Sequence, residues 1–187
     1  NYDIIHLVEK YFNYNVECLI LSIELHHYDI TDYLEDTIGL SFNFKLDYAS
    51  TYRYLFRMIY SYNMKYILSH LDDVEYVINI KDYDTGLTPI QTAAILGFTD
   101  MVKVFSTIDG IDLHQTSRSG ETLLYMACVK GFVDIVDFLV NCEYYDINVK
   151  NDNGTNALFA VVQRENPKFL ILLELLLSKG IDVNAVN

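Results

Sequence analysis

The stretch Gly86–Gly97 reads GLTPIQTAAILG, and its pattern returns twice further along the chain. It recurs at Gly120–Gly131 as GETLLYMACVKG, which begins 34 residues later. It recurs again at Gly154–Ala160 as GTNALFA, after a second interval of 34 residues. Two equal intervals of this length are typical of a repeat architecture, in which each unit is too small to bury its own apolar face and is stable only when stacked on its neighbours.

The residue types inside the stretch predict a pair of short helices. Thr88 is a good helix N-cap, and Pro89 suits the first helical turn because its missing N–H needs no partner there. Ala93 keeps the first helix thin, so that the helix of the next unit can approach closely. Gly97 permits the positive φ of a C-cap, after which a second helix with a wider apolar stripe is expected. Turn-forming residues before each repeat of the pattern predict tight loop tips.

The composition predicts a folded, mainly helical protein that does not bind nucleic acid. Apolar residues make up 51% of the 187 residues, which is enough for a packed core, and only 2 prolines interrupt helix formation. A net charge of −13 repels a phosphate backbone. The 3 cysteines are an odd number in no metal-binding spacing, which favours buried thiols and a reducing, cytoplasmic location. No apolar run is long enough to predict a membrane-spanning helix.

No catalytic, cofactor-binding or metal-binding motif is found in the sequence. The 5 histidines contain no His-x-x-x-His pair, and the cysteines contain no Cys-x-x-Cys pair. The segment Asp82–Gly86 begins like a calcium-binding loop but lacks the glutamate that closes such a loop. Phosphate-binding and nucleophile-elbow motifs are absent as well. We therefore expect no enzyme activity, no cofactor, no metal and no small-molecule substrate.

The repeated pattern resembles the ankyrin repeat, whose family pattern is G-x-T-P-L-H-x-A-A-x-x-G-H-x-x-I-V. The resemblance covers about 79–187. It implies an all-α ankyrin-repeat solenoid that acts as a non-catalytic protein–protein interaction module. The regular repeats are expected over about 84–115, 118–150 and 152–184.

Three departures from the family pattern stand out. Gln91 and Tyr125 replace the usual histidine of the first helix, and Asn156-Ala157 replaces Thr-Pro. A short insertion around 164–167 lengthens the turn of the third repeat. We expect these departures to loosen the local turn hydrogen bonds without threatening the fold.

Residues 1–78 lack the glycine pattern, but their apolar residues recur at helical spacing. We predict a loop over 38–50, followed by helices over about 51–61 and 64–71. When the second helices are aligned, His26 and Tyr62 fall at the position of Gly97. The N-terminal part is therefore interpreted as two degenerate ankyrin-like repeats, which gives one continuous solenoid of about five helix pairs. It resembles the Tyr/Asn-rich region that precedes regular repeats in ankyrin proteins of parasitic protists.

The resemblance also implies where a partner would bind. In ankyrin arrays the loop tips and the exposed side of the first helices form a concave surface, and the positions between the consensus residues contact the partner. The acidic charge and the many tyrosines favour a basic protein partner of unknown identity. By register, the partner-binding residues are Asp84, Thr85, Leu87, Ile95 and Leu96 in the first regular repeat, Arg118, Ser119, Glu121, Val129 and Lys130 in the second, and Asp152, Asn153, Thr155, Gln163 and Arg164 in the third.

Two other roles stay open at this point. The chain could be a structural component embedded in a cytoskeletal or axonemal assembly, or the regulatory arm of an enzyme whose catalytic domain lies outside it. The third repeat ends on the approach to another loop tip, so we also expect the chain to be a fragment of a longer protein with further repeats.

Overall fold

The computed structural model describes residues 21–22, 25, 48–71, 75–163 and 168–185, and every regular element in these ranges is a helix. The chain divides into two compact units, Asn1–Val77 and Ile78–Asn187. Because every regular element in the described ranges is a helix, the all-α prediction is confirmed. Most of the N-terminal segment with helical spacing, and the position assigned to His26, lie outside the described residues; before residue 48 only Leu21 and Ser22, which are helical, and Leu25, which lies in a turn, are described.

From residue 48 onward, the described part of the first unit contains two α-helices and a 3₁₀ turn. These are α1 (Tyr48–Tyr60), α2 (Met64–Ser69) and the turn Glu75–Val77. Both predicted helices are present, but α1 begins before residue 51, so the loop predicted over 38–50 was drawn too long. The Tyr48-Ala49-Ser50 segment holds no glycine or proline, and nothing in it stops the helix from extending backwards. Leu55, Ile59 and Ile67 form part of the buried core of this unit.

The turn between α1 and α2 has the hydrogen bonds of a regular repeat. Tyr62 has a positive φ of 54°, and the Asn63 N–H donates to the Met58 carbonyl at 2.9 Å. At the corresponding turn of the second unit, Gly97 has a φ of 81° and the Phe98 N–H donates to the Ala93 carbonyl at 2.9 Å. This similarity is consistent with the register that places Tyr62 at the position of Gly97, and the two degenerate repeats remain a prediction.

The described residues of the second unit form three helix pairs. The first helices of the pairs stack on one another, the second helices do the same, and each first helix packs on its own second helix. Alanines of the first helices are buried at these contacts, as the sequence predicts. The pairs are α3 (Pro89–Leu96) with α4 (Thr99–Phe105), α5 (Leu123–Lys130) with α6 (Val133–Asn141), and α7 (Ala157–Val162) with α8 (Phe169–Ser178).

The predicted helix caps are present. Thr88 Oγ1 accepts a hydrogen bond from the Gln91 N–H at 3.4 Å, and Thr122 Oγ1 accepts one from the Tyr125 N–H at 3.2 Å. Gly97 ends α3 in the left-handed conformation, where its φ is 81°. Each cap satisfies backbone groups that the helix itself leaves unpaired, which fixes where the helix begins and ends.

The expectation that Gln91 and Asn156 loosen the turns is wrong. Gln91 Oε1 accepts from the Thr88 N–H at 3.0 Å, and Gln91 Nε2 donates to the Gln115 carbonyl at 2.7 Å. Asn156 accepts from the Leu158 N–H at 3.1 Å and donates to the Asp182 carbonyl at 2.7 Å. Both side-chain amides thus cap the start of a helix and also donate a hydrogen bond to a more distant backbone carbonyl. The insertion around 164–167 lies outside the described residues.

A series of hydrogen bonds joins each repeat to the next. An aspartate N–H donates to a side chain of the preceding repeat: Asp146 donates to His114 Nε2 at 3.1 Å, and Asp182 donates to Asn148 Oδ1 at 2.7 Å. The aspartate carboxylates in turn accept from the backbone two residues ahead, as Asp146 does from the Asn148 N–H at 2.8 Å. We call this series the inter-repeat ladder; it begins where the Asp112 N–H donates to Asn79 Oδ1 at 2.8 Å.

The loop tips also stack directly on one another. The Asp152 N–H donates to the Gly120 carbonyl at 3.1 Å, as the Arg118 N–H does to the Gly86 carbonyl at 3.2 Å. Gly120 has a φ of 78°, and a Cβ added there would lie 2.5 Å from the Asp152 Cβ. Glycine is therefore required here both by the backbone conformation and by the closeness of the next loop.

We expect Gly120→Ala to lower the free energy of unfolding by about 3 kcal/mol, because the positive φ and the clash with Asp152 both oppose the new methyl group. Gly110→Ala is the matched control, since Gly110 has a φ of 77° and no neighbouring atom within 4 Å of the added Cβ. It should cost only about 1 kcal/mol. Urea denaturation of both variants measures the difference. Equal losses would contradict the tight stacking of the loop tips.

Candidate functional site

The predicted partner-binding residues occupy five equivalent positions of the three repeats, and we call the surface that they define the loop-tip face. The first two positions, at the loop tips, are exposed in every repeat; they are Asp84, Arg118 and Asp152, then Thr85, Ser119 and Asn153. The third position is half-buried at Leu87 and Glu121 and buried at Thr155. The fourth is half-buried at Ile95 and Val129 and exposed at Gln163, and the fifth is exposed at Leu96 and Lys130. Arg164 lies outside the described residues.

Several loop-tip side chains are held by their own loops. The Thr85 hydroxyl donates to Asp82 Oδ2 at 2.7 Å, and the Ser119 hydroxyl donates to Glu121 Oε2 at 3.2 Å. Arg118 Nη2 donates to the Tyr83 carbonyl at 2.8 Å, which ties this guanidinium to the preceding loop. These contacts make the tips rigid, but they also give Arg118 a structural role that its exposure does not reveal.

The structure brings three of the predicted residues together in one pocket at the third repeat. Asn153, Thr155 and Gln163 line a cavity of about 350 Å³. Three residues that were not predicted complete its lining, and these are Tyr125, Asn151 and Phe159. Half-buried aromatic rings beside amide and hydroxyl groups offer an apolar surface with adjacent hydrogen-bonding groups, and no lining residue is charged.

Sequence reasoning missed the two aromatic rings although a signal was present. Tyr125 and Phe159 are 34 residues apart, at the position that Gln91 occupies in the first regular repeat. Tyr125 was noticed only as a departure from the family histidine. In the structure Gln91 is buried and caps its helix, whereas both rings are half-buried and line the pocket. The residue that replaces the family histidine therefore supports the helix cap in the first regular repeat. In the next two repeats it is an aromatic ring that lines one shared pocket.

Two grooves lie between the second helices, and none of the predicted residues lines them. One groove of about 640 Å³ runs between α4 and α6, and another of about 510 Å³ runs between α6 and α8. They share Asp134 and Asp137, and each also has a further acidic residue, Asp100 in the first and Glu174 in the second. We call this pair the second-helix grooves. Their acidic lining, with Lys103 as a basic residue in the first groove, differs from the uncharged pocket.

The buried titratable groups are structural. Cys128 is packed in α5, and burial raises the pKa of its thiol to about 12. Burial also raises the pKa of the Tyr145 phenol, whose oxygen accepts from the Leu124 N–H at 3.1 Å. Cys142 is half-buried and Cys18 lies outside the described residues. Among the residues that the structure describes, no group of three potential ligands could hold a metal ion.

The family model for ankyrin repeats, in three copies, matches residues 55–151 and 100–187. These matches span more than half of the chain, and the chain therefore belongs to the ankyrin-repeat family. A solved structure, the ankyrin repeat protein EF0377, shares the fold with a TM-score of 0.72 and 23% identity, over 92% of this chain and 86% of that one. The predicted ankyrin-repeat solenoid is thus confirmed. Ankyrin repeats generally mediate protein–protein interaction.

Two curated relatives show how this chain compares in length. Human BCL-6 corepressor-like protein 1 is 32% identical over 103 residues, which are 55% of this chain and 6% of that protein. Mouse protein phosphatase 1 regulatory subunit 27 is 29% identical over 100 residues, which are 54% of this chain and 61% of that protein. The chain thus matches less than two thirds of the length of either relative. In the described ranges, no helix has the length and apolar character needed to cross a bilayer.

The burial of Cys128 predicts selective thiol labelling. At pH 8 iodoacetamide should modify Cys142 at least about tenfold faster than Cys128, because the thiolate is the reacting form and burial suppresses it at Cys128. Peptide mass spectrometry measures both rates, and labelling in urea should remove the difference. Equal rates in the native protein would show that Cys128 is not packed as described.

Proposed function

We propose that the second unit is a non-catalytic binding module that recognises a protein partner through the loop-tip face. The observation that carries this proposal is the pocket at the third repeat, which Asn153 and Gln163 line together with the rings of Tyr125 and Phe159. Its volume of about 350 Å³ is suited to one or two side chains of a partner, with the neighbouring loop tips contacting the residues on either side.

The chemistry of the face supports recognition of a protein. Aromatic rings supply a large contact area with few rotatable bonds, and amide groups donate and accept hydrogen bonds at fixed places. The hydrogen bonds within the loops hold the backbone of the tips, so less conformational entropy is lost when a partner binds. The net charge of −13 favours a basic partner through long-range attraction.

Two other roles have some support. The second-helix grooves share no residue with the loop-tip face, and a structural element embedded in an assembly would have such surfaces covered as well. The mouse relative carries the name of a regulatory subunit of a phosphatase, which favours a module that binds an enzyme without catalysing its reaction. Binding through the loop-tip face is compatible with the second of these roles.

A matched pair of variants tests the proposal. Asn153→Arg combined with Gln163→Arg adds two positive charges inside the pocket, at two exposed positions. Asp134→Arg makes the same change of charge in the second-helix grooves, also at an exposed position. We expect the pocket variant to capture at least about tenfold less partner than the unaltered protein does. Two contacts of roughly 1 kcal/mol each are lost, and the added positive charges repel a basic partner.

Quantitative mass spectrometry of proteins retained from an extract of the source cells measures the capture, and thermal unfolding checks that both variants stay folded. Retention by Asp134→Arg together with loss by the pocket variant supports the loop-tip face. The reverse pattern would assign binding to the second-helix grooves, and equal loss by both variants would contradict a localised face.

A further inference from the structure

Two of the contacts described for the inter-repeat ladder have an asparagine as the acceptor, and one has a histidine. The asparagines are Asn79 and Asn148, and each accepts an aspartate N–H through its side-chain oxygen, Oδ1. The histidine is His114, which accepts the Asp146 N–H through its ring nitrogen Nε2 at 3.1 Å. His114 and Asn148 occupy the same position of their repeats, two residues after Asp112 and Asp146. These contacts are therefore equivalent in place but differ in the chemistry of the acceptor.

The two kinds of acceptor respond differently to protons. A side-chain amide keeps the lone pairs of its oxygen across the physiological pH range, so an asparagine can accept this hydrogen bond throughout that range. A neutral imidazole has one nitrogen that accepts and one that donates, whereas an imidazolium ion has two donors. Because the Asp146 N–H is a donor, His114 makes its contact as a neutral ring that carries its hydrogen on Nδ1.

The second regular repeat holds the His114 ring in this orientation. The ring stacks on that of Tyr145, with the centroids 5.4 Å apart and the planes inclined by 9°. Tyr145 is buried, and its hydroxyl oxygen accepts from the Leu124 N–H at 3.1 Å, so it offers a fixed surface to the histidine. A protonated ring in this stack cannot restore the contact to Asp146 by flipping, because neither nitrogen of an imidazolium ion can accept.

The titratable groups that the hydrogen bonds and the ring stack place around His114 are two carboxyls and a phenol. Asp112 Oδ1 accepts from the backbone N–H of His114 at 3.0 Å, and Asp146 and Tyr145 belong to the segment on the other side of the ring. Burial raises the pKa of the Tyr145 phenol, which is therefore uncharged. Carboxylates attract an imidazolium ion, so the repulsion that protonation creates here comes from the Asp146 N–H and not from a charged neighbour. The His114 side chain is exposed, so protons in solution reach it.

We propose that His114 makes the boundary between the first and second regular repeats sensitive to protons. The contact to Asp146 forms while the ring is neutral and is lost when Nε2 takes up a proton. The hydrogen bond therefore stabilises the folded protein at pH values where the ring is neutral, and its contribution falls as the ring is protonated. The contact in which Asn148 is the acceptor stays formed over the same pH range. Mild acid thus loosens one boundary between repeats and leaves the next unchanged, a property that is separate from partner binding through the loop-tip face.

NMR of the full chain at pH 7.5 and at pH 5.5 tests the proposal, because ordinary histidine side chains are mainly neutral at the first pH and mainly protonated at the second. The measured quantities are the protection factors of the Asp146 and Asp182 N–H groups, each corrected for the exchange rate of an unfolded amide at the same pH. We expect the protection of the Asp146 N–H to fall at least about threefold at pH 5.5, through loss of its hydrogen bond. The protection of the Asp182 N–H should stay constant.

His114→Asn is the matched control, since it introduces the residue type that makes the equivalent contact at Asn148. Thermal unfolding at pH 7.5 checks that this variant stays folded. Its Asp146 N–H should keep the same protection at both pH values. The chemical shifts of the ring nitrogens in the original chain provide an independent readout, because Nε2 of His114 should be the nitrogen without a hydrogen at pH 7.5.

Three results would each overturn the proposal. A loss of protection at Asp146 no greater than that at Asp182 would show that the contact does not depend on the charge of the ring. A loss of the same size in His114→Asn would assign the response to another group. A hydrogen on Nε2 of His114 at pH 7.5 would show that the ring does not accept the Asp146 N–H.

Discussion

The hydrogen bonds that pass from each repeat to the next are the contacts on which the second unit depends. An aspartate N–H of one repeat donates to an asparagine or histidine of the repeat before, and a loop-tip N–H donates to a glycine carbonyl. These donors and acceptors are backbone groups or short side chains, so they fix the separation of the repeats closely. The apolar contacts between neighbouring helices supply most of the stabilisation, but they tolerate small shifts that the hydrogen bonds do not.

Residues whose effect is local could be predicted from the sequence. Thr88 caps a helix through a backbone group three residues away, and Gly97 provides the left-handed conformation at its own position. Gln91 could not be interpreted in this way, because half of its role is a hydrogen bond to the carbonyl of Gln115, which only the folded loop brings near. The start of α1 was missed for another reason: Ser50, a residue type common in both loops and helix N-caps, was assigned to the loop, although the helix begins at Tyr48.

In the candidate site too, the sequence predicts which positions are equivalent, but not which contacts their side chains make in the folded protein. The repeat interval was sufficient to choose equivalent positions, but it could not tell that Thr155 is buried or that Arg118 is tied to the Tyr83 carbonyl. It also could not show that Tyr125 and Phe159 line one pocket, because that depends on the stacking of two repeats. Equivalent positions in sequence therefore have different environments, and only the structure distinguishes side chains that face a partner from side chains that hold the loops.

The loop-tip residues Arg118 and Asp152 pack against a glycine of the preceding repeat, and this contact limits how the loop-tip face can vary. A Cβ on Gly120 would lie 2.5 Å from the Asp152 Cβ, so the close approach of the tip residue requires glycine at position 120. Substitutions at the tips alter the chemical groups displayed but not the intervals between them. A molecule that contacts two loop tips at once must therefore match the spacing of the repeats. Binding of a new ligand can evolve through changes in the identity of the tip side chains alone.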